Sequence, residues 1–171
     1  MHNDKASYEF FMSEALQHAE KALWRGEFPV GSVLVYKDQI IAAGSREGTA
    51  TSGTNEIDHA EMVALRALLD SGQQGDLAQV TLYSTMEPCL MCFATLLVNG
   101  VRKIVYGYED AMGGGTNLPL HLLSPLYRDM GVEITGGVLR QKGLDLFKEF
   151  FANPDNDYLQ DSLLSTYTLN Q

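Results

Sequence analysis

"AQVTLYSTMEPCLMCFATLLVNGVRKIVYGYE", residues 78–109, decides the fold. Residues 78–85 are rich in β-branched side chains and read as a strand. Residues 88–100 open on Pro88, suited to a first helical turn, and close on Asn99-Gly100, so both ends carry the marks of a helix. "RKIVYGYE" (102–109) is again a strand. Strand and helix alternate here as they do in a layered α/β domain.

Working outward, "SYEFFMSEALQHAEKALWRG" (7–26) has apolar residues at helical spacing and stops at Gly26. "PVGSVLVY" (29–36) and "QIIAAG" (39–44) are short strands joined by Lys37-Asp38 in a hairpin-like connection. A polar loop, 46–57, leads to a helix over 58–72 with a start at Asp58 and a stop at Gly72. Beyond the strand 102–109 come a glycine-rich loop (112–117), a short helix bent or split at Pro125 (119–131), a strand (132–139) and a closing helix (141–151). The long, helix-containing connection between the last two strands suits a parallel crossover. The expected architecture is a three-layer α/β/α sandwich around a five-stranded mixed sheet. One domain spans 1–152, and an acidic tail with a weak helical pattern covers 153–171.

The chain carries 12 Lys and Arg against 22 Asp and Glu, a formal charge of −10. That overall field repels polyanions, whose binders usually present a basic face. No apolar run approaches the roughly 18 residues of a membrane span. The first residues lack a signal-peptide layout, so the expected location is the cytoplasm.

Cys89 and Cys92 are the only cysteines. In the cytoplasm such a pair is metal-binding or catalytic more often than a structural disulfide. A Cys-x-x-Cys between strand and helix also fits a redox dithiol, because a helix N-terminus lowers thiol pKa values. Taken alone, the pair leaves both readings open. A second piece, "DHAE" (58–61), starts the preceding helix. If the two helices lie side by side, His59, Cys89 and Cys92 converge. Three N/S donors with a fourth position open to water form the pattern of a catalytic zinc site. Zinc held this way acidifies a water, and Glu61, two residues from the ligand, is placed to take its proton. Asp58-x-x-Glu61 also matches a helix capping box, which would leave the cysteines unexplained.

His-x-Glu followed by Pro-Cys-x-x-Cys is the zinc-deaminase signature. These residues make the chain resemble the cytidine deaminase-like superfamily, and within it the branch of tRNA adenosine, guanine and nucleoside deaminases. The resemblance runs from about Phe28 to Phe151 through "FPVGSVLV", "HAEMVALRAL", "LYSTMEPCLMC", "KIVYGYEDAMGGG" and "VEITGGVL". It implies zinc on His59, Cys89 and Cys92, a proton shuttle at Glu61, and a homodimer or higher homo-oligomer. Phe28, Pro29 and Val30 are candidate walls for a flat base, and Ser45 and Arg46 candidate polar contacts. The branch's tRNA enzymes usually have "GxN" after the second strand. Here the stretch is "AAGSRE", with Ser45 at the Asn position. "NEID" replaces their Pro-Thr-Ala-like run, and no Lys or Arg follows Lys148. The expected substrate is therefore a small nucleobase or nucleoside, with tRNA adenosine as the alternative. A dithiol oxidoreductase, or a zinc-stabilised binding protein without turnover, is the competitor outside this class.

Overall fold

The computed structural model describes residues 2–50, 55–72 and 75–171. Residues 51–54 of the 46–57 loop lie outside the described residues. Helix α1 (His2–Trp24) precedes a hairpin of β1 (Gly31–Tyr36) and β2 (Gln39–Ser45). Lys37 and Asp38 close the hairpin with φ of 48° and 59°, the left-handed pair whose twist matches the flanking strands. Helix α2 (Ala60–Ser71), β3 (Thr81–Met86), α3 (Leu90–Val98) and β4 (Lys103–Tyr108) follow. After a 3-10 turn at Leu120–Leu122 come α4 (Pro125–Arg128), β5 (Glu133–Thr135), α5 (Arg140–Ala152) and α6 (Leu163–Leu169). The split expected at Pro125 is present, with the proline in the first turn of α4.

The strands form one five-stranded sheet in the order β2-β1-β3-β4-β5. β1 pairs antiparallel with β2 and β3, whereas β3, β4 and β5 run parallel. This is the expected mixed sheet with a parallel crossover into its last strand. Strand β5 is shorter than the expected 132–139. Gly136 lies against the Tyr106 ring with no room for a Cβ, and Gly137 takes a φ of 83°. Regular pairing stops at Thr135, although Val138 N–H still donates to the Tyr106 carbonyl at 3.1 Å.

Helices cover both faces. Leu34, Leu82 and Ile104 pack with Leu65 and Leu68 of α2 and Phe93, Leu96 and Leu97 of α3. On the other face Val33, Val35, Tyr83 and Val105 pack with Phe11, Met12 and Leu16 of α1. Each fully buried side chain of this kind contributes roughly 1.5–3 kcal/mol. Gly44 of β2 brings α2 close to the sheet, since a Cβ there would overlap the Ala60 carbonyl.

A third cluster lies beyond the C-terminal ends of β3 and β4, where Phe28 and Tyr108 meet Phe147, Phe150 and Leu164. The segment after Asn153 therefore packs on the body of the domain. Ser162 caps α6 by accepting from the Ser165 N–H. The Tyr108 and Thr168 hydroxyls bond at 3.1 Å. The Tyr167 hydroxyl donates to Glu109 Oε1 at 2.7 Å, and Arg140 Nε donates to Glu109 Oε2 at 2.8 Å.

The Arg140 hydrogen bonds outweigh burial and hold the Glu109 carboxyl down at about 2, against an ordinary 4.5. A folded-state value below the unfolded one gives stability that is complete above about pH 4.5 and is lost as pH falls toward 2. Urea unfolding across that range should lose stability with acid, and Glu109→Gln should flatten this part of the profile while lowering stability at neutral pH.

Candidate active site

Both motifs sit at helix starts. His59 is the N-cap of α2 and Cys89 the N-cap of α3, each with extended backbone. The first helical residues are Ala60 and Leu90, so α2 begins two residues after the expected Asp58, and Pro88 precedes the cap instead of entering the first turn. Asp58 is drawn aside: its carboxylate pairs with Arg66 at 2.9 Å and accepts from Asn55 Nδ2 at 2.5 Å. No side chain caps α2. Glu61 turns inward and is buried, accepting from Ser84 Oγ at 3.2 Å. The capping-box reading does not hold.

His59 Nδ1 lies 3.5 Å from Cys89 Sγ and 3.5 Å from Cys92 Sγ, and the ligand atoms of all three residues fall within 4.8 Å of one another. A tetrahedral zinc with ordinary Zn–N and Zn–S bonds has an N···S edge of about 3.5 Å. The trio fits that ion without rearrangement. Its charges fit as well. Hydrogen bonding from Cys92 outweighs burial and, with His59, brings the Cys89 thiol down to about 4. Cys92 is pushed up by Cys89, by burial and by the Glu61 charge. Burial raises Glu61. Burial works against a proton on His59, but its bond to Cys89 and the negative charge of Glu61 and Cys89 raise it nonetheless. Without a cation the site therefore retains protons that a divalent metal displaces.

The far side of the histidine is held too. His59 Nε2 lies 3.4 Å from Glu56 Oε2, the carboxylate–histidine arrangement that fixes a ligand's ring. The same oxygen accepts from Arg46 Nη2 at 3.0 Å and from the Tyr158 hydroxyl at 3.0 Å. Arg46 is buried, its Nη1 donating to the carbonyls of Glu47, Asn55 and Asp58. Tyr158 thus joins the segment after α5 to the donor trio through one carboxylate.

A cavity of about 240 Å³ opens beside these groups. Phe28, Val30 and Met86 form apolar wall, Tyr158, Leu159 and Leu164 the side contributed by the C-terminal segment, and Asp110, Met112 and Gly113 the opposite rim. His59, Glu61 and Cys89 lie on the wall. Of the expected base contacts, Phe28, Val30 and Arg46 reach the cavity and Pro29 and Ser45 do not. Ser45 Oγ instead accepts from Arg25 Nη2 at 2.8 Å, and the next residue, Arg46, takes the wall position. The glycine-rich loop is clamped beside Cys89. Glu87 accepts from the Thr116 hydroxyl and the Asp110 N–H, and Gly115 N–H donates to the Pro88 carbonyl at 2.9 Å. Sequence reasoning passed over Glu56, Tyr158 and Ser84. Only Glu56 had a local signal, as a carboxylate three residues before His59.

A zinc-binding donor set beside a base-sized cavity defines the class, and residues 5–108 match the family described as cytidine and deoxycytidylate deaminase zinc-binding region. The tRNA-specific adenosine deaminase 2 of Xenopus tropicalis is 35% identical over 149 residues, 82% of this chain and 86% of that protein. A structure from biochemical and structural studies of A-to-I editing by tRNA:A34 deaminases matches with TM-score 0.68 and 29% identity, over 80% of this chain and 98% of that one. The guanine deaminase from Nitrosomonas europaea shares the fold, with TM-score 0.68 at 23% identity over 85% of each chain. The chain belongs to the cytidine and deoxycytidylate deaminase zinc-binding family, and His59, Cys89 and Cys92 form its candidate zinc site.

Two outcomes are expected. Zinc titrated into metal-free protein, in buffers of differing ionisation heat, should release protons, and its affinity should fall as pH is lowered because protons compete for Cys92. Glu56→Gln should weaken zinc binding roughly ten- to a hundredfold in a chelator competition, while Tyr158→Phe, which leaves the His59 contact in place, should weaken it less.

Proposed function

We infer that this chain catalyses hydrolytic deamination, replacing the exocyclic amine of a nucleobase with oxygen and releasing ammonia. The observation that carries the reading is the buried Glu61 carboxyl, which lies on the cavity wall with Oε2 3.7 Å from Cys92 Sγ. Zinc, when bound, supplies a Lewis acid that makes a water more acidic. Glu61 takes one proton of the attacking water on its carboxylate and delivers it to a ring nitrogen of the base. It then takes the second proton, from the hydroxyl of the resulting adduct, and delivers it to the amine, which leaves as ammonia while the carbonyl forms. Burial, by raising the Glu61 pKa, makes it a better proton acceptor for this work. Phe28 and Val30 offer the flat base an apolar surface and exclude water.

The preferred substrate is a free base or nucleoside. A cavity of about 240 Å³ is smaller than the roughly 300–1,000 Å³ that take drug-sized ligands, and it suits one ring system. Its wall carries the carboxyls of Glu56, Glu61, Glu87 and Asp110 against the single guanidinium of Arg46. Arg46 is committed to Glu56, Tyr158 and backbone carbonyls, so the lining favours hydrogen-bond donors on the substrate over a phosphate. A second reading, adenosine within tRNA, is favoured by the names of the relatives at 35% and 29% identity. The same inference carries cytoplasmic residence and a homodimer or higher homo-oligomer, for which exposed Leu90 and Val98 on α3 offer apolar surface.

Ammonia release across aminated bases, nucleosides, nucleotides and a tRNA anticodon stem separates the two. Turnover of a base or nucleoside supports the first, and turnover of the RNA alone replaces it with the second. Glu61→Gln should lose turnover by more than about a hundredfold while retaining zinc. Full activity in that variant would rule out the assigned proton carrier.

A further inference from the structure

The face of β1 and β3 that packs on α2 is aliphatic at Leu34 and Leu82 and turns polar two residues along each strand, at Ser32 and Ser84. These serines are register partners and fully buried. Ser32 Oγ donates to Ser84 Oγ at 3.1 Å, and Ser84 Oγ donates to Glu61 Oε1 at 3.2 Å. A hydroxyl has one proton to give. Because the Ser84 oxygen already accepts from Ser32, its own proton is directed onto Glu61. The other carboxyl oxygen, Oε2, is the one beside Cys92.

Two hydroxyls buried without bonds would weaken this core, and alanine or valine would fill the space with no polar atom to satisfy. Their bonds run in one direction and end on a single carboxyl oxygen. The last torsion of a glutamate is broad and roughly two-fold, so a carboxyl packed only by apolar neighbours is poorly fixed in rotation. We propose that Ser84, backed by Ser32, is a positioning residue that holds Glu61 Oε1 and so presents Oε2 to the donor trio and the cavity. Its catalytic consequence rests on the reading of Glu61 as the proton carrier.

The test uses the full zinc-loaded chain labelled with ¹³C at glutamate carboxyls, the Glu61 resonance being identified by its loss in Glu61→Gln. Ser84→Ala should shift that resonance and lower kcat for ammonia release roughly ten- to a hundredfold, the range for losing a hydrogen bond to a charged group. KM should stay within about twofold, with zinc content unchanged. Ser84→Thr, which keeps the hydroxyl, should restore most of the loss. Ser32→Ala should move the resonance and kcat less, in the same direction, and it carries the test if Ser84→Ala does not fold. An unmoved Glu61 resonance, or an unchanged kcat, in the folded variant overturns the proposal. If the unsubstituted chain releases no ammonia from any substrate while the resonance still moves, the deaminase reading fails and the positioning of the carboxyl stands.

Discussion

Two thiols and a carboxyl share one small, water-poor volume at the end of β3, and mutual repulsion limits how many of them can be anionic. A helix N-terminus contributes about half a positive charge. The starts of α2 and α3 together therefore offset about one of the three negative charges, and a divalent ion is what balances the remaining two. That deficit explains why the surroundings look as they do. Imidazole completes the donor set without adding a further anion, and Arg46 is buried one residue beyond β2. The carboxyls on the outer rim are tied down by backbone N–H groups and hydroxyls, as with Glu87 and Asp110.

The sheet gives this charge balance its geometry. β3 lies at its centre, antiparallel to β1 and parallel to β4, and its C-terminal end delivers Glu87, Pro88 and Cys89 in succession. Ligands in open α/β sheets bind beyond the carboxyl ends of the strands, and here the cavity lies beyond the ends of β3 and β4. Close approach of α2 at Gly44 then carries His59 and Glu61 to the same point. Chemistry and recognition come from different parts of the chain. The donor trio belongs to helix starts packed on the sheet, whereas the wall opposite it comes from loops and from the segment after α5.

What could be read from the residues follows this division. The convergence of His59, Cys89 and Cys92 was legible because His59 and Cys89 stand at helix starts and Cys92 lies in the first turn of the second helix, and such starts are set by local signals. Five strands and a mixed sheet were legible for the same reason. The exact start of α2 was not, because Asp58 is diverted by Arg66 and Asn55, a contact that spacing does not reveal. The end of β5 coincides with the left-handed Gly137, one residue past a glycine packed on Tyr106 of the neighbouring strand. Ser45 and Arg46 were adjacent candidates for polar contacts and only Arg46 lines the wall, because in an extended chain one residue reverses the side that faces inward. Glu56 and Tyr158 stand 102 positions apart, and nothing in either neighbourhood announces the other. Ser32 and Ser84 interrupt a hydrophobic alternation and so resemble positions facing water, when both are fully enclosed.

The contribution of Tyr158, Leu159 and Leu164 to the cavity divides the labour of the site along the chain. His59, Cys89 and Cys92 all precede Tyr108, the last residue of β4, whereas one wall of the cavity comes from the segment after α5. Substitution in that segment can therefore reshape the cavity without replacing any donor residue.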